Sequence, residues 1–230
     1  IIERIAKLIE SGVKKSQILA LTFTEKAAQE MLDRTAERLQ ESYGVEIAIH
    51  TYNAFGHLLL EEFAVEIGLS TQQKLVGEEG KVVFMREHLD ALQLDYFSPV
   101  SQPDGQLSTL ADYFSKLKQQ LITPERYINL ANTMTAQDDS ERLERKKHIE
   151  LARAYEKYIH LMRKQNIIDY DDQIYLLVEL LLKRPNIQKK LQERFRHIMV
   201  DEFQDTNPMQ SALIDLLYSN DDQGSLMVVG

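Results

Sequence analysis

Four short apolar runs, set apart by stretches of helical periodicity, constrain the fold of this chain more than any other feature. Ile18 to Phe23 (ILALTF), Val45 to Thr51 (VEIAIHT), His197 to Glu202 (HIMVDE) and Leu226 to Gly230 (LMVVG) are short, apolar or β-branched, and the first three run into polar residues at their carboxyl ends. Runs that are apolar on both faces need cover on both faces, and parallel strands need helices as crossovers, so the pattern predicts a buried parallel sheet in an α/β domain. The intervening helices agree. In residues 25 to 40, Ala28, Met31, Leu32 and Leu39 share one face, while Glu30, Asp33, Arg34 and Glu37 fall elsewhere, as expected of a helix laid on a sheet.

From about Gly68 to Met162 the strand signals stop. Helical patterns cover Lys81 to Leu92 and Glu141 to Met162, and between them SPVSQPDGQ (Ser98 to Gln106), with two prolines and a glycine, reads as a loop. In the last of these helices Leu143, Ile149, Ala152, Tyr155, Ile159 and Met162 form an apolar stripe. Arg142, Arg145, Lys146, Lys147 and Arg153 populate the remainder, a basic face open to two readings, solvated surface or phosphate-binding surface. The chain therefore divides into residues 1–67, the first part of an α/β core; 68–162, an all-helical insertion; and 163–230, the second part of the core.

At 230 residues the chain is long enough to bury a sizeable core. Its net charge of −9 supplies no overall positive field, so a nucleic-acid contact would have to be local. Without cysteine there are no disulfides or thiolate metal sites. No run approaches the roughly 18 to 20 apolar residues of a membrane span, and the opening IIERIAKLIE has no secretory pattern, so a cytoplasmic protein without membrane partners is expected.

The third run ends on acids, in HIMVDEFQDTN. Carboxylates at the carboxyl edge of a parallel sheet stand where open α/β folds bind ligands. In an extended strand Asp201 and Glu202 point to opposite sides, so one can address Mg²⁺ while the other faces an attacking water. A solvated strand end is the alternative. Asn207, Pro208 and Gln210 suit the N-cap, first and third positions of a helix closed by a capping box. Asp169, Asp171 and Asp172, around Tyr170, read as a solvated helix-capping turn before the apolar run Ile174 to Leu182 rather than a second metal site. His50 and His57 could share a helix face but have no third ligand in range, and no metal is assigned to them.

These segments resemble the UvrD/Rep/PcrA-type superfamily 1 helicases. VDEFQDTNPMQ (Val200 to Gln210) is similar to the family's Walker B motif. In the family's order, LALTFTEKAAQEM (Leu19 to Met31), HTYNAFGHLLL (His50 to Leu60) and NIIDYDDQIYLL (Asn166 to Leu177) resemble three further motifs. The resemblance implies a partial RecA-like (P-loop NTPase) parallel sheet core with an inserted all-helical subdomain, and ATP and Mg²⁺ as cofactors. By the same resemblance Asp201 holds Mg²⁺, Glu202 is the catalytic base, and Gln204 and Asp205 sense nucleotide or link it to DNA contacts. Phe23 contacts a DNA base, with Thr22 and Thr24 close to the backbone. Thr51 and Tyr52 match a second strand-contacting turn; Asn53 stands where histidine is common, and Glu25 where asparagine is frequent. Independently, an aromatic at a strand end can stack on a base, worth about 1–3 kcal/mol, and Thr24 and Thr51 can each cap a following helix. For Phe23 the competing reading is a core aromatic.

The phosphate-cradling pattern GxxxxGK[ST] does not occur: GEEGKV (Gly77 to Val82) has the wrong spacing and no Ser or Thr after Lys81. By resemblance that loop would precede the helix beginning at Ile1, VVG (Val228 to Gly230) would open the next motif, and a second RecA-like domain would follow. The expectation is an N-terminal fragment, inactive alone, of an ATP-dependent helicase that moves 3′ to 5′ on single-stranded DNA and separates duplex at junctions. Two alternatives stay open: the helicase part of a helicase-nuclease of the AddA or RecB kind, and a non-catalytic DNA- or protein-binding module of the same fold.

Overall fold

In the computed structural model, which describes residues 1–40, 46–68, 73–99, 103–220 and 224–230, α1 (Ile2–Glu10) leads into β1 (Ile18–Thr22) and α2 (Glu25–Leu39), then β2 (Ala48–Thr51) and α3 (Tyr52–Glu62). A second group follows: β3 (Lys74–Val76), α4 (Glu78–Glu87), α5 (Leu89–Leu92), α6 (Pro103–Gln119), α7 (Pro124–Thr133), α8 (Asp139–Lys164) and β4 (Ile167–Asp169). The chain closes with α9 (Tyr170–Lys183), α10 (Pro185–Arg194), β5 (His197–Val200), α11 (Pro208–Leu217) and β6 (Ser225–Val228). These elements form two compact units, residues 1–62 with 173–230, and residues 63–172.

In the first unit the four anticipated strands form one all-parallel sheet in the order β2-β1-β5-β6. Every residue of β1 is buried. Ile18 and Ala20 meet Ile5 and Leu8 of α1, Ala28 and Met31 of α2, and Met199 on one side; Leu19, Leu21, Ile198 and Val200 point the other way and are buried as well. Cover on both sides is why the runs are apolar without alternation. Gly56 in α3 is needed for close approach, because a Cβ there would lie 2.5 Å from the Gln173 carbonyl oxygen of α9. Val45, the first residue of the second anticipated run, lies outside the described residues, as do residues 100–102 of the anticipated loop. The loop is shorter than read, since Pro103 already opens α6; proline is well placed at a helix start.

The second unit is helical except for a short parallel ladder. Lys74, Leu75 and Val76 pair with Ile167, Ile168 and Asp169, so strand structure does not stop at Gly68. A three-residue strand with two exposed positions carries no periodicity to read. The core gathers around Phe114, whose ring centroid lies 5.1 Å from that of Tyr155 and 5.4 Å from that of Tyr158. Of the α8 stripe, Ala152, Tyr155, Ile159 and Met162 are buried, but Leu143 is exposed. Nine residues before Ala152, at about 100° per residue, it stands half a turn away from the core face. The basic face is partly engaged: Arg145 donates to the Asn132 carbonyl at 2.8 Å and Lys147 lies 4.4 Å from the centre of the Tyr96 ring.

Two of the three acids around Tyr170 are not solvated; the third, Asp171, is half-buried and accepts from the Gln119 side-chain amide at 3.0 Å. Lys118 Nζ, fully buried, lies 2.8 Å from Asp169 and 2.7 Å from Asp172, both of them buried too. The capping expectation holds: the Asp172 amide donates to the Asp169 carboxylate at 2.8 Å and the Asp169 amide to that of Asp172 at 3.0 Å. One cation serves two carboxylates. Burial pushes Asp172 up to about 6, helped by the like charge of Asp169. Burial acts on Asp169 too, but the charge and hydrogen bond of Lys118 outweigh it and hold that acid below its usual range. Lys81 of GEEGKV is likewise buried, donating to Ser115 Oγ and paired with Glu78, each at 2.8 Å.

Candidate functional site

Because all four strands of the main sheet run parallel, their carboxyl ends leave one edge together. β1 delivers Phe23 and Thr24, β2 delivers Tyr52 and Asn53, β5 delivers Asp201 and Glu202, and β6 delivers Val229 and Gly230. The sheet order divides this edge into a β2-β1 part, carrying the anticipated strand-contacting residues, and a β5-β6 part, carrying the acids.

On the acidic part, Asp201 extends the ladder by one rung, its amide donating to the Leu21 carbonyl at 2.9 Å. The strand does not continue through Glu202, as the sequence suggested. Glu202 takes φ 52°, ψ 42°, left-handed geometry that costs a non-glycine residue about 1–3 kcal/mol. Among the described residues the other positive-φ residues that are not glycine, Gln40, Gln93, Leu121 and Asn166, all sit at or just past helix carboxyl ends; Glu202 stands between a strand and a 3₁₀ turn over Phe203–Asp205. The separation of the two acids therefore comes from this kink rather than from strand alternation. Gln204 Nε2 donates to Glu202 at 2.6 Å and to Asp205 at 3.2 Å. Gly230 packs against Gln204 so closely that a Cβ would collide with its amide oxygen. Behind the turn Asn207 and Gln210 form the anticipated capping box at the start of α11.

Asp201 borders a cavity of about 230 Å³ lined also by Ile1, Ile2, Ala27, Glu30, Met31, Arg34 and Val229. No cation of the described residues lies within ion-pair distance of its carboxylate. Arg34 and Glu30 are additions to the anticipated site. Arg34 follows Ala27 and Met31 at helical spacing, which brings it to the rim of the cavity, where it is itself exposed.

On the β2-β1 part, Thr22 and Thr51 are register partners at the strand ends and are buried. Tyr52 is buried too, its ring centroid 5.5 Å from that of Phe23. Its hydroxyl has no hydrogen-bond partner among the described residues, and burial raises its pKa, which keeps it protonated. Of the six anticipated contact residues, only Phe23, Thr24 and Asn53 reach the surface. Residues still within the last ladder rung are covered by their neighbours. Thr24 caps α2 by accepting from the Ala27 amide, and Thr51 caps α3 by accepting from that of Ala54, each at 3.1 Å. Among the described residues no helix is long and apolar enough to cross a membrane.

The comparison with known proteins follows the same pattern. The 230 residues match the UvrD/REP helicase N-terminal domain from end to end. The chain is 34% identical over 239 residues to ATP-dependent DNA helicase UvrD1 of Mycobacterium leprae and 28% identical over 228 residues to ATP-dependent DNA helicase PcrA of Leuconostoc citreum. It is 27% identical over 218 residues to ATP-dependent DNA helicase Rep of Escherichia coli. The three alignments cover 99%, 99% and 94% of this chain but 28%, 28% and 30% of the relatives, so the chain spans less than a third of their length. A parallel sheet with its acids and strand-end aromatics on one edge is thus joined to a family pattern that runs its full length, and the chain belongs to the UvrD/REP helicase N-terminal domain family.

Proposed function

We propose that this chain is the N-terminal motor portion of an ATP-dependent DNA helicase of the cytoplasm. The longer polypeptide would move 3′ to 5′ along single-stranded DNA and separate duplex at junctions. The observation that carries this reading is the pair Asp201 and Glu202: one carboxylate bordering a cavity, with no cation of the described residues within ion-pair distance of it, the next held in a strained conformation at the same sheet edge as Phe23. Strain retained outside a helix end is characteristic of functional positions.

Asp201 fits Mg²⁺, a hard ion served by one or two carboxylates plus phosphate oxygens and water. Among the described residues no group of three or more His, Asp and Glu could hold a metal on its own, so an ion here would be held by Asp201 together with oxygens of the substrate. The bound ion supplies charge neutralisation on the phosphates. Glu202 takes the proton of the attacking water, and Gln204 orients its carboxylate by donating a 2.6 Å hydrogen bond from its side-chain amide, which also donates to Asp205. Phe23 stacks on a base, with Thr24 and Asn53 beside it. Thr22, Thr51 and Tyr52 act from beneath, holding those residues in place.

Glu202→Gln in the longer polypeptide tests the assignment. DNA-stimulated ATP hydrolysis is expected to fall about 100- to 10,000-fold with single-strand binding retained. Undiminished hydrolysis would reject Glu202 as the base.

A further inference from the structure

Thr51 has one hydroxyl proton, and it is already committed. The hydroxyl donates to the Glu25 carboxylate at 2.9 Å, while its oxygen accepts from the Ala54 amide at 3.1 Å. Glu25 is the first residue of α2, directly after its cap Thr24. Its carboxylate therefore bridges the two turns that leave β1 and β2. A phosphate diester only accepts hydrogen bonds, so it cannot take the Thr51 proton while Glu25 holds it, and it is repelled by the carboxylate as well. The nearby cations do not cancel that charge. Lys26 leans toward Glu30 at 3.9 Å. His50 in β2 is half-buried, and burial lowers its pKa more than Glu25 raises it.

We propose that Glu25 is a specificity-determining residue of the nucleic-acid edge: it locks the β2 turn against the start of α2 and holds phosphates away from this point. Single-stranded DNA is then gripped here through its bases, on Phe23, more than through its backbone. This rests on the reading of the edge as a DNA surface.

The test is binding of a fluorescent oligothymidylate to the unaltered chain, Glu25→Gln and Glu25→Ala across a salt series. Glutamine keeps an oxygen for the Thr51 proton and removes only the charge. It is expected to tighten binding about three- to tenfold at low salt, the gain shrinking as screening rises. Alanine also frees the Thr51 hydroxyl and is expected to gain at least as much. If the unaltered chain binds and glutamine leaves affinity unchanged or weaker, the role of Glu25 is overturned while the DNA edge stands. If none of the three binds, the DNA edge itself falls, and this role with it.

Discussion

Replacing Lys118 by methionine fills much of the same volume but withdraws the one cation that two buried carboxylates share. Lys118 is fully buried and lies 2.8 Å and 2.7 Å from Asp169 and Asp172. Removing one partner of a buried ion pair costs about 3–5 kcal/mol, because the remaining charge keeps its desolvation penalty without compensation. At about 2–4 °C per kcal/mol for a chain of this size, the thermal midpoint should fall by about 6–20 °C. Asp172 offers partial escape: already pushed up to about 6, it can take a proton. The penalty should therefore be smaller at pH 5.5 than at pH 8. With ten tyrosines and no tryptophan, helical circular dichroism through a urea titration is the practical readout. A second variant separates charge from packing: adding Asp169→Asn and Asp172→Asn removes both charges, while the asparagine oxygens still accept the two capping amides. It should recover about half of the loss. A loss under about 1 kcal/mol for Lys118→Met, or no recovery in the triple variant, would refute the claim that this buried charge cluster governs stability.

Asn207→Ala breaks the capping box at α11 and should destabilise the chain by about 1 kcal/mol, measurable as a lower urea midpoint with an unchanged slope. The acid pair also gives a pH signature. Because the folded Asp172 titrates near 6, above the ordinary carboxylate value, the folded chain holds a proton that the unfolded chain releases between about pH 4 and 6. Its contribution to stability is complete below that window and is lost as pH rises through it. Asp169, depressed, contributes above its ordinary value and loses that contribution only as pH falls below it. The stability of the chain relative to Asp172→Asn should therefore decline from pH 4 to 6 and level off above; a flat difference would contradict the assignment.

What could be read from the sequence was what is local. The capping box spans four residues, Asn207 to Gln210, and the apolar runs announce their own burial, so both are found where expected. What could not be read depends on partners far along the chain or on backbone geometry. Lys118 meets Asp169 across 51 residues, and nothing near DYDD announces a buried lysine. The acids looked solvated because acids usually are. Glu202 looked like the last residue of a strand, since a left-handed kink leaves no mark on composition. Thr22 and Thr51 looked like contact residues because motifs record position along the chain, whereas the parallel register that pairs and covers them is a property of the sheet.

That register also bears on how the two parts of the edge communicate. The amide of Asp201 donates to the carbonyl of Leu21, two residues before Phe23. The amide of Phe203, just after Glu202, donates to Val229 at 2.7 Å, beside the glycine that packs on Gln204. β1 is hydrogen-bonded to β2 on one side and to β5 on the other. Asp201 is therefore tied to β1 by one ladder bond, and Phe23 lies on the short link between β1 and the capped start of α2. Neighbouring strands lie only about 4.8 Å apart, so coupling between the acidic and aromatic parts of this edge requires no relay through the rest of the chain.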